Sequence, residues 1–480
     1  MRLSARHVHF IGIGGIGVSG LARLLLARGL TVSGSDLRDG PTADSLRRAG
    51  AAVVAGHAPE NIPPATDLVV ASAAIPPENV ELRAAQERGL RVLKYAQALG
   101  ELMDDYAGIA IAGTHGKTTT TSLVAYLLSR VGFSPSFVVG AEVPQLGGSS
   151  GLGHGPYLVV EACEYDRSFL NYHPNFAVIT NIEEDHLDYY RDLEDIIGAF
   201  AQFASQVQPE GRLLVNGRDA RALRAAKSAR APVETFAVGA PADWSARDLV
   251  EQGGFFSFTA SHGAEGLGRF QLAIPGAHYV DDALAAVALA VMAGADVEGC
   301  RRAVADFRGA RRRFERVGEL AGVQVVDDYA HHPTEIRVTL RAARQSFPRA
   351  RIWCVFQPHQ YSRTRTLLGE FARSFDDADR VLLPDIYLAR DSDEDRHAVS
   401  SADLAAAIRE HGRAAQEVRY LATFSEIEEV CRRELSPGDV LITMGAGDVW
   451  KLGHRFLQSP GPQSQAAGTT GPVDDAGRGR

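Results

Sequence analysis

The feature that most constrains the fold of this chain is an apolar run that passes through a glycine-rich turn into a helix. The run begins at Ile109, and the turn reads GTHGKT from Gly113 to Thr118. Leu123, Val124 and Leu127 then follow at the spacing of one buried helical face. We therefore predict a strand, a tight turn and a helix, which is a unit of parallel α/β sheets.

The same turn is suited to nucleotide phosphates. Its backbone N–H groups and the positive end of the helix dipole meet at one point, where Lys117 adds a mobile charge and Thr118 a hydroxyl ligand for Mg²⁺. The usual phosphate-loop pattern has a glycine where this chain has Ile111. The alternative is an ordinary glycine-containing turn, but Gly-Lys-Thr rarely stands at such a place by chance. We therefore predict that the chain binds a nucleotide.

Composition limits the classes of protein to which the chain can belong. A chain of 480 residues accommodates roughly three domains of about 150 residues. The net charge of −9 argues against nucleic acid or an anionic membrane as the main partner, since either needs a broad basic face. Four scattered cysteines without a CxxC pair indicate reduced thiols. With no long apolar leader and no run of ~18 apolar residues, we expect a cytoplasmic protein.

The first part of the chain carries a Rossmann-like pattern. A strand from His7 to Ile13 overlaps the glycine pattern GIGGIG, which runs from Gly12 to Gly17, and a second strand ends at Asp36. Such glycines let a phosphate approach the helix N-terminus, and the acidic residue can bind sugar hydroxyls, ordinarily those of NAD. Glycines needed only for tight helix packing are the alternative. His57 and Ser72 fall at the expected ligand edge, where each is either a contact or a solvated loop residue.

Two more apolar strands end in polar side chains beyond the phosphate loop. One runs from Tyr157 into Glu161, and the next runs from Phe176 into the segment NIEEDHLD, which contains His186. In open parallel sheets the ligand lies at the carboxyl ends of the strands, so Glu161 and His186 are placed to reach a metal beside the phosphates. A buried, hydrogen-bonded glutamate or histidine is the alternative.

A basic segment, Arg311 to Arg313, begins the last part of the chain. It is either a solvated face or a contact for an anion, and further polar clusters follow it. The predicted strands Val323 to Val326 and Arg351 to Phe356 run into DDYAHHPTE and QPHQYSRTR. His331 and His332 stand side by side at a helix start and point in different directions. This arrangement favours binding or positioning over a two-histidine metal site.

These patterns predict an α/β protein of three domains. We assign residues 1–98 to a Rossmann-like N-terminal domain and residues 99–311 to a central domain with a parallel sheet of the P-loop ATPase type. Residues 312–457 form a C-terminal Rossmann-like α/β domain. Residues 255–270 read as a hairpin-like insert, and the polar tail at 458–480 is predicted to be disordered.

Eight motifs, in one order across all three predicted domains, resemble those of the Mur ligase family. The resemblance extends from His7 to about Leu457, and so many motifs in the right order are very specific. The motifs are HFIGIGGIGVSGLA, AGTHGKTTTTSLVA, VVEACEYDRSFL, AVITNIEEDHLDYY, IPGAHYVDDALAA, RRRFERVGE, DDYAHHPTE and FQPHQYSRTRTL.

The resemblance implies that the first domain holds a UDP-sugar rather than NAD, and that the central domain holds ATP and Mg²⁺. It implies UDP-sugar contacts at Gly14, Gly15, Gly17, Asp36, His57 and Ser72. The implied ATP contacts are Gly113, Thr114, His115, Gly116, Lys117, Thr118, Thr119, His278, Asp282, Arg313 and Asp328. The implied metal ligands are Thr118, Glu161 and His186.

The resemblance also implies an amino acid pocket and a catalytic set. The third domain would close over the nucleotide and bind the amino acid through Tyr329, His331 and Arg363. Lys117 would grip the β- and γ-phosphates, and His186 or His331 could take a proton from the incoming ammonium. The catalytic residues implied in this way are Lys117, His186, His331 and Arg363.

Four positions depart from the common pattern of the family. Cys163 and Tyr165 stand in an acidic strand end that usually reads Glu-Ala-Asp-Glu-Ser-Asp. Tyr279 and Asp282 stand where relatives have asparagines that contact the nucleotide base. Adenine recognition would therefore fall to His278 and Asp282.

The activity that the resemblance implies is ATP-dependent ligation in peptidoglycan precursor synthesis. The lactyl carboxylate of UDP-N-acetylmuramate would attack the γ-phosphate of ATP, and L-alanine would attack the resulting acyl phosphate, giving an amide, ADP and phosphate. Alternatives are a ligase that adds a preformed peptide to the same nucleotide sugar during wall recycling, and a non-catalytic nucleotide-binding relative. A nicotinamide-dependent dehydrogenase is a third, but it would leave Lys117 without a purpose. The expected partners are small molecules, with no nucleic acid and no membrane insertion.

Overall fold

A computed structural model of the chain describes residues 5–389, 391–413 and 416–458. The predicted disordered tail begins one residue too early, since Gln458 is the last residue of a helix, and the rest of the tail lies outside the described residues. The chain forms two compact units, Met1–Arg313 and Phe314–Arg480. Three sheets build these units, two in the first and one in the second.

The first sheet has five parallel strands in the order β3-β2-β1-β4-β5, as expected for a Rossmann-like domain. Its first strand ends two residues earlier than predicted, because Gly12 leaves the extended conformation at φ +79°. The strands are β1 (His7–Ile11), β2 (Thr31–Asp36), β3 (Ala52–Ala55), β4 (Leu68–Ala71) and β5 (Arg91–Lys94). The helices are α1 (Ile16–Ala27), α2 (Pro41–Arg48), α3 (Val80–Glu87) and α4 (Tyr95–Met103).

The second sheet has ten strands in the order β15-β14-β13-β12-β11-β10-β6-β9-β7-β8. The predicted hairpin-like insert is an antiparallel pair, β14 and β15, that extends one edge. The strands are β6 (Ala107–Ala112), β7 (Ser136–Val143), β8 (Gly148–Gly151), β9 (Tyr157–Glu161), β10 (Phe176–Ile179), β11 (Arg212–Asn216), β12 (Val233–Val238), β13 (Trp244–Gln252), β14 (Phe255–His262) and β15 (Glu265–Gln271). The helices are α5 (Lys117–Arg130), α6 (Leu193–Gln206), α7 (Ala220–Ala226), α8 (His278–Met292) and α9 (Val297–Asp306).

The middle of the second sheet explains the apolar runs seen in the sequence. Strands β6, β9 and β10 run parallel to one another and are buried on both faces, so both alternating sets of side chains are apolar. The first sheet packs against this one through α1, where a Cβ at Gly20 would lie 3.0 Å from a methyl carbon of Val138. The two sheets therefore share one hydrophobic core.

The second compact unit contains a six-stranded sheet in the order β16-β17-β21-β18-β19-β20, with one antiparallel edge strand, β16. The strands are β16 (Glu315–Leu320), β17 (Val323–Asp328), β18 (Ile352–Phe356), β19 (Arg380–Leu383), β20 (Glu417–Tyr420) and β21 (Val440–Met444). The helices are α10 (Pro333–Ser346), α11 (Tyr361–Thr366), α12 (Leu368–Ala372), α13 (Asp393–Ala398), α14 (Ser401–His411), α15 (Phe424–Glu434) and α16 (Trp450–Gln458). Among the described residues of the whole chain, no helix combines the length and apolar character needed to cross a membrane.

Candidate active site

The phosphate loop joins β6 to α5 and is fastened to the end of β10. Gly113 (φ +140°) and Gly116 (φ +83°) have backbone conformations that favour glycine. The Thr114 N–H donates to the backbone oxygen of Asn181 at 3.0 Å, and the His115 N–H donates to its side-chain oxygen at 2.8 Å. The N–H groups of the first turn of α5 point out of the helix N-terminus, as in any helix. The loop is thus held in a shape that can bind an anion.

Lys117, the first residue of α5, is turned towards the carboxyl end of β9. Its Nζ lies 3.0 and 2.9 Å from the two carboxylate oxygens of Glu164 and also donates to the backbone oxygens of Gly113 and Thr114. Burial lowers the pKa of Lys117, but the negative charges of Glu164 and its neighbours outweigh burial, so the net shift is upward. Lys117 is therefore charged at neutral pH.

Glu164 belongs to the site, although the sequence analysis does not single it out. Its side chain is only 3% exposed, and the Tyr190 hydroxyl donates to its backbone oxygen at 2.5 Å. Two residues in the left-handed region follow it, Asp166 (φ +53°) and Arg167 (φ +51°), so the chain leaves the strand end through a strained turn. The signal in the sequence was a second acidic residue three places after Glu161, at the end of the same strand.

The predicted metal ligands Glu161 and Thr118 lie on adjacent elements, β9 and α5. The Gly140 N–H donates to Glu161 at 2.6 Å, and Arg313 Nη2 donates to the Thr118 hydroxyl at 3.0 Å. Burial raises the pKa of Glu161 above its usual value, although the bond from Gly140 and the charge of Arg313 oppose the shift. The structure therefore brings Arg313, predicted as a phosphate contact, to the first turn of α5.

The third predicted metal ligand, His186, follows β10 in a left-handed conformation (φ +55°). Its Nε2 lies 4.0 Å from a carboxylate oxygen of Glu164, and its ring centroid lies 5.1 Å from that of Tyr165. Its Nδ1 is buried and has no hydrogen-bond partner within the described part of the chain. His186 and Glu164 thus share one edge of the central sheet with the phosphate loop.

Asp282, near the start of α8, packs against the phosphate loop. It is 8% exposed, and its Oδ1 accepts a hydrogen bond from Thr120 at 3.3 Å. A Cβ at Gly116 would collide with the same oxygen. The neighbouring rings of His278 and Tyr279 lie 4.0 Å apart between centroids. The structure therefore places Asp282 against Gly116, the N-cap residue of α5.

Burial raises the pKa of Asp282 to about 8, and the adjacent carboxyl of Asp281 adds to the shift. The hydrogen bond from Thr120 and the charges of Arg313 and His115 act in the opposite direction. Burial likewise raises the pKa of Asp281 to about 6, opposed by Arg218. Asp282 is thus neutral at pH 7 and can both donate and accept a hydrogen bond.

We expect the affinity for ATP to fall as the pH rises through about 8, because ionised Asp282 would repel the phosphates. One linked proton limits the loss to about tenfold for each pH unit. Asp282→Asn, which is always neutral, should bind ATP with little dependence on pH over this range. The measurement is calorimetric binding of ATP across the pH range. Binding of the UDP-sugar, measured over the same pH range, is the control. An equally steep loss of ATP affinity in the parent and in Asp282→Asn would show that Asp282 is not the group that titrates.

The predicted UDP-sugar residues gather at the carboxyl edge of the first sheet. The Gly14 N–H donates to an Asp36 carboxylate oxygen at 2.8 Å, and the Gly56 N–H donates to the Asp36 backbone oxygen at 2.7 Å. Gly12 packs against Ser72, whose Cβ would lie 3.0 Å from a Cβ at that glycine. Asp36 therefore fixes the glycine-rich loop and, through Gly56, the loop that carries His57.

The other two glycines of this pattern lie at the start of α1. Gly15 is the N-cap residue of the helix. Gly17 lies against the Tyr95 ring, so a Cβ at Gly17 would lie 2.9 Å from the phenol oxygen. Gly17 is thus required for close packing as well as being a predicted ligand contact.

In the second compact unit, the predicted amino acid residues come together around a histidine that the sequence analysis missed. The His331 ring centroid lies 5.2 Å from that of Tyr329 and 6.1 Å from that of His359. Arg363 Nη1 lies 3.5 Å from His359 Nδ1, and the guanidinium is buried. His359 lies in the polar segment that follows β18, and this position was the signal in the sequence. The Tyr387 ring stacks on the His359 ring, with the centroids 5.4 Å apart.

The motif DDYAHHPTE begins in the last two residues of β17, two residues further along the strand than predicted, and runs into the start of α10. Asp328 is 4% exposed, and its carboxylate accepts from Phe314 N–H at 2.7 Å and Ala330 N–H at 2.8 Å. His332 is the N-cap of α10, with Glu335 completing a capping box. The adjacent histidines therefore have different surroundings, as their spacing predicts.

The fold and this edge of the central sheet define a nucleotide-binding α/β protein with charged groups arranged around a phosphate loop. Three family profiles match the chain in the same order. The Mur ligase family catalytic domain matches residues 7–107, the Mur ligase middle domain residues 111–290, and the glutamate ligase domain of Mur ligases residues 312–447. The chain belongs to the Mur ligase family.

Curated relatives and solved structures agree with this assignment. UDP-N-acetylmuramate–L-alanine ligases from Acetivibrio thermocellus and Caldanaerobacter subterraneus are 44% and 42% identical to the chain. Each alignment covers 94% of this chain, with 96% and 97% of the relatives. The crystal structure of UDP-N-acetylmuramate-alanine ligase from Thermotoga maritima matches with a TM-score of 0.80 at 27% identity, over 94% of this chain and 98% of that one. A murein peptide ligase from Psychrobacter arcticus matches over the same shares with a TM-score of 0.70 at 27% identity.

Proposed function

We propose that this chain is an ATP-dependent ligase that joins L-alanine to the lactyl carboxylate of UDP-N-acetylmuramate. The observation that carries the proposal is the cluster of Lys117, Glu164 and His186 beside the phosphate loop, in the same compact unit as the glycine-rich loop of the first sheet. The relatives named for this reaction support it, since their similarity extends over 94% of the chain.

The proposed reaction needs an activated carboxylate, because a carboxylate and an amine do not form an amide in water unaided. A lactyl carboxylate oxygen bonds to the γ-phosphorus of ATP while the bond to the β-phosphate oxygen breaks, and ADP leaves. The alanine nitrogen then bonds to the acyl carbon, phosphate leaves, and a base accepts the ammonium proton. Both steps are limited by charge repulsion and orientation.

The charged groups of the central domain are suited to the first of these steps. Lys117 at the start of α5 would bind the phosphates, and Arg313, which donates to Thr118, would add a second positive charge beside the same turn. Glu164 holds Lys117 in place through its paired oxygens. In the second compact unit, Tyr329, His331 and Arg363 would bind alanine.

The residues at this edge also fit Mg²⁺. Thr118 and Glu161 supply the oxygen ligands that Mg²⁺ prefers, and the buried Nδ1 of His186, unpartnered within the described residues, supplies a polar atom at the same edge. When bound there, Mg²⁺ would shield the phosphate charge. We place the enzyme in the cytoplasm, where ATP is available, acting on small molecules.

The test is phosphate release by the purified protein with ATP, Mg²⁺ and UDP-N-acetylmuramate. The acceptors to compare are L-alanine, glycine, L-serine, the tripeptide of wall recycling and no acceptor. We expect release that requires both the sugar nucleotide and L-alanine. Release with the tripeptide alone would assign the chain to wall recycling, and ATP binding without release under any condition would make it a non-catalytic relative.

A further inference from the structure

A buried carboxylate, Glu81 of α3, joins several elements of the first sheet. Its side chain is 0% exposed. The Ser35 hydroxyl donates to its Oε2 at 2.5 Å, and His9 Nε2 lies 3.3 Å from the same oxygen. The Asn61 side chain and the Ala58 N–H donate to its Oε1 at 2.6 and 3.1 Å. Glu81 thus links β1, β2, α3 and the loop that follows β3.

Glu81 is ionised in these surroundings. Burial raises its pKa, but the hydrogen bonds from His9, Ser35, Asn61 and Ala58 outweigh burial, so the net shift is downward. A buried carboxylate is costly unless donors satisfy its oxygens, and here both oxygens have two. An ionised carboxylate can only accept hydrogen bonds.

This constraint fixes the proton of His57. Ser35 has one hydroxyl proton, and it is directed at Glu81. Ser35 can therefore only accept from His57, whose Nδ1 lies 2.9 Å from the Ser35 oxygen. In a neutral imidazole the proton must then be on Nδ1, which leaves Nε2 as an acceptor. Within the described residues, no hydrogen-bond partner of His57 Nε2 is present, and the side chain is 9% exposed.

His57 lies next to the groups that fix the glycine-rich loop. The preceding residue, Gly56, donates its N–H to the backbone oxygen of Asp36, and the carboxylate of Asp36 accepts from Gly14. Ser35 and Asp36 are consecutive on β2, so their side chains point to opposite faces of the strand. Glu81 is thus joined to His57 through the Ser35 hydroxyl and through the N–H of the next residue, Ala58, and its Oε1 lies 3.7 Å from His57 Nδ1.

We propose that Glu81 is a positioning residue for the UDP-sugar: acting through Ser35, it holds His57 with its proton on Nδ1 and presents Nε2 to a hydroxyl or imide N–H of the ligand. The inference rests on the proposed function for the identity of the ligand. In the UDP part of the ligand, the uracil imide and the ribose hydroxyls carry such a donor.

The first test separates binding of the UDP-sugar from the chemistry. Glu81→Gln and Ser35→Ala should each raise the KM for UDP-N-acetylmuramate by up to about tenfold, the worth of one hydrogen bond, with kcat and the KM for ATP nearly unchanged. Ser35→Ala leaves the other three bonds of Glu81 in place, so it remains informative if Glu81→Gln unfolds. The matched control is Glu87→Gln, an exposed position on the same helix. An unchanged KM in Ser35→Ala would overturn the proposal.

The second test asks whether Glu81 acts through His57. If it does, the double variant Glu81→Gln/His57→Ala should have the same KM as His57→Ala alone. Additive losses would show a separate, structural role and overturn the proposal. In ¹⁵N-histidine-labelled protein, the His57 signal, assigned by its loss in His57→Ala, should show the Nδ1-protonated form. Ser35→Ala should shift it towards a mixture of tautomers.

The third test identifies the donor and keeps this inference separate from the proposed function. Binding of UDP, its N3-methyl analogue and its 2′-deoxy analogue is measured by calorimetry without ATP or alanine. Weaker binding of one analogue to the parent, but not to His57→Ala, identifies the group that meets Nε2. Equal binding of all three would exclude the uracil imide and the 2′-hydroxyl, and equal binding of the 3′-deoxy analogue as well would overturn the acceptor role. These experiments need no ligation, so a parent protein that binds UDP but releases no phosphate would contradict only the proposed function.

Discussion

Lys117→Ala should abolish ligation while the protein stays folded. Lys117 is the charged residue at the N-terminus of α5, and the proposed transfer of phosphate to a carboxylate depends on such a charge. Loss of one charged group that stabilises transferred phosphate typically reduces kcat by about a thousandfold or more. The measurement is alanine-dependent phosphate release at saturating substrates. Turnover that stays within about tenfold of the parent would contradict the role of Lys117.

The Lys117→Ala variant needs a control for stability, because Lys117 is paired with Glu164. Glu164 is 3% exposed, and removal of the lysine would leave its carboxylate buried without that cation. The double variant Lys117→Ala/Glu164→Gln removes this charge, so it should recover stability without recovering activity. Lys227→Ala, at an exposed position after α7, is the matched control and should keep full activity. Recovery of activity in the double variant would assign the defect to folding instead.

Glu161→Ala should raise the Mg²⁺ concentration needed for half-maximal activity by about tenfold or more, since each lost ligand weakens a metal site to that degree. Glu161 stands at the end of β9, where Gly140 orients one of its oxygens. Glu161→Gln keeps the hydrogen bond from Gly140 and removes only the charge. It should therefore need a similarly raised Mg²⁺ concentration for half-maximal activity. An unchanged magnesium titration would remove Glu161 from the metal site.

The pH dependence of the Mg²⁺ titration tests the role of Glu161 in a second way. Because burial raises the pKa of Glu161, part of the carboxylate is protonated at lower pH, and a metal must displace that proton. The Mg²⁺ requirement of the parent should therefore rise as the pH falls, and that of Glu161→Gln should not rise for this reason. Glu210→Ala, an exposed position outside the site, serves as the matched control.

The predictions from sequence that the structure confirms rest on local patterns. The apolar run before Gly113 is strand β6 and the following residues are helix α5, because neighbouring residues encode both elements. The prediction of a single buried face for α5 was wrong, since every residue from Thr118 to Leu128 is buried. The three-domain α/β class follows from the repetition of such units, and the family profiles match in the same order. The roles of single site residues remain predictions, to be tested by the variants above.

The residues that the sequence analysis missed have partners distant in the chain. Glu164 meets Lys117 across 47 positions, and the hydrogen bond from Asn61 to Glu81 spans 20 positions. His359, which follows β18, became visible only as the neighbour of His331, which follows β17. No spacing rule predicts such pairs, because they depend on which strand ends are adjacent in the sheet.

The sequence by itself therefore determined the elements, the family and the strand ends at which polar groups stand, since these depend on periodicity and on glycines at strained turns. Only the tertiary structure decided the electrostatic state of the groups. Asp282 is neutral at pH 7 because α8 buries it against the phosphate loop, whereas Glu81 is ionised because four donors from separate elements converge on it. Burial and hydrogen bonding shift a carboxyl pKa in opposite directions, and their balance is fixed only when distant segments pack together.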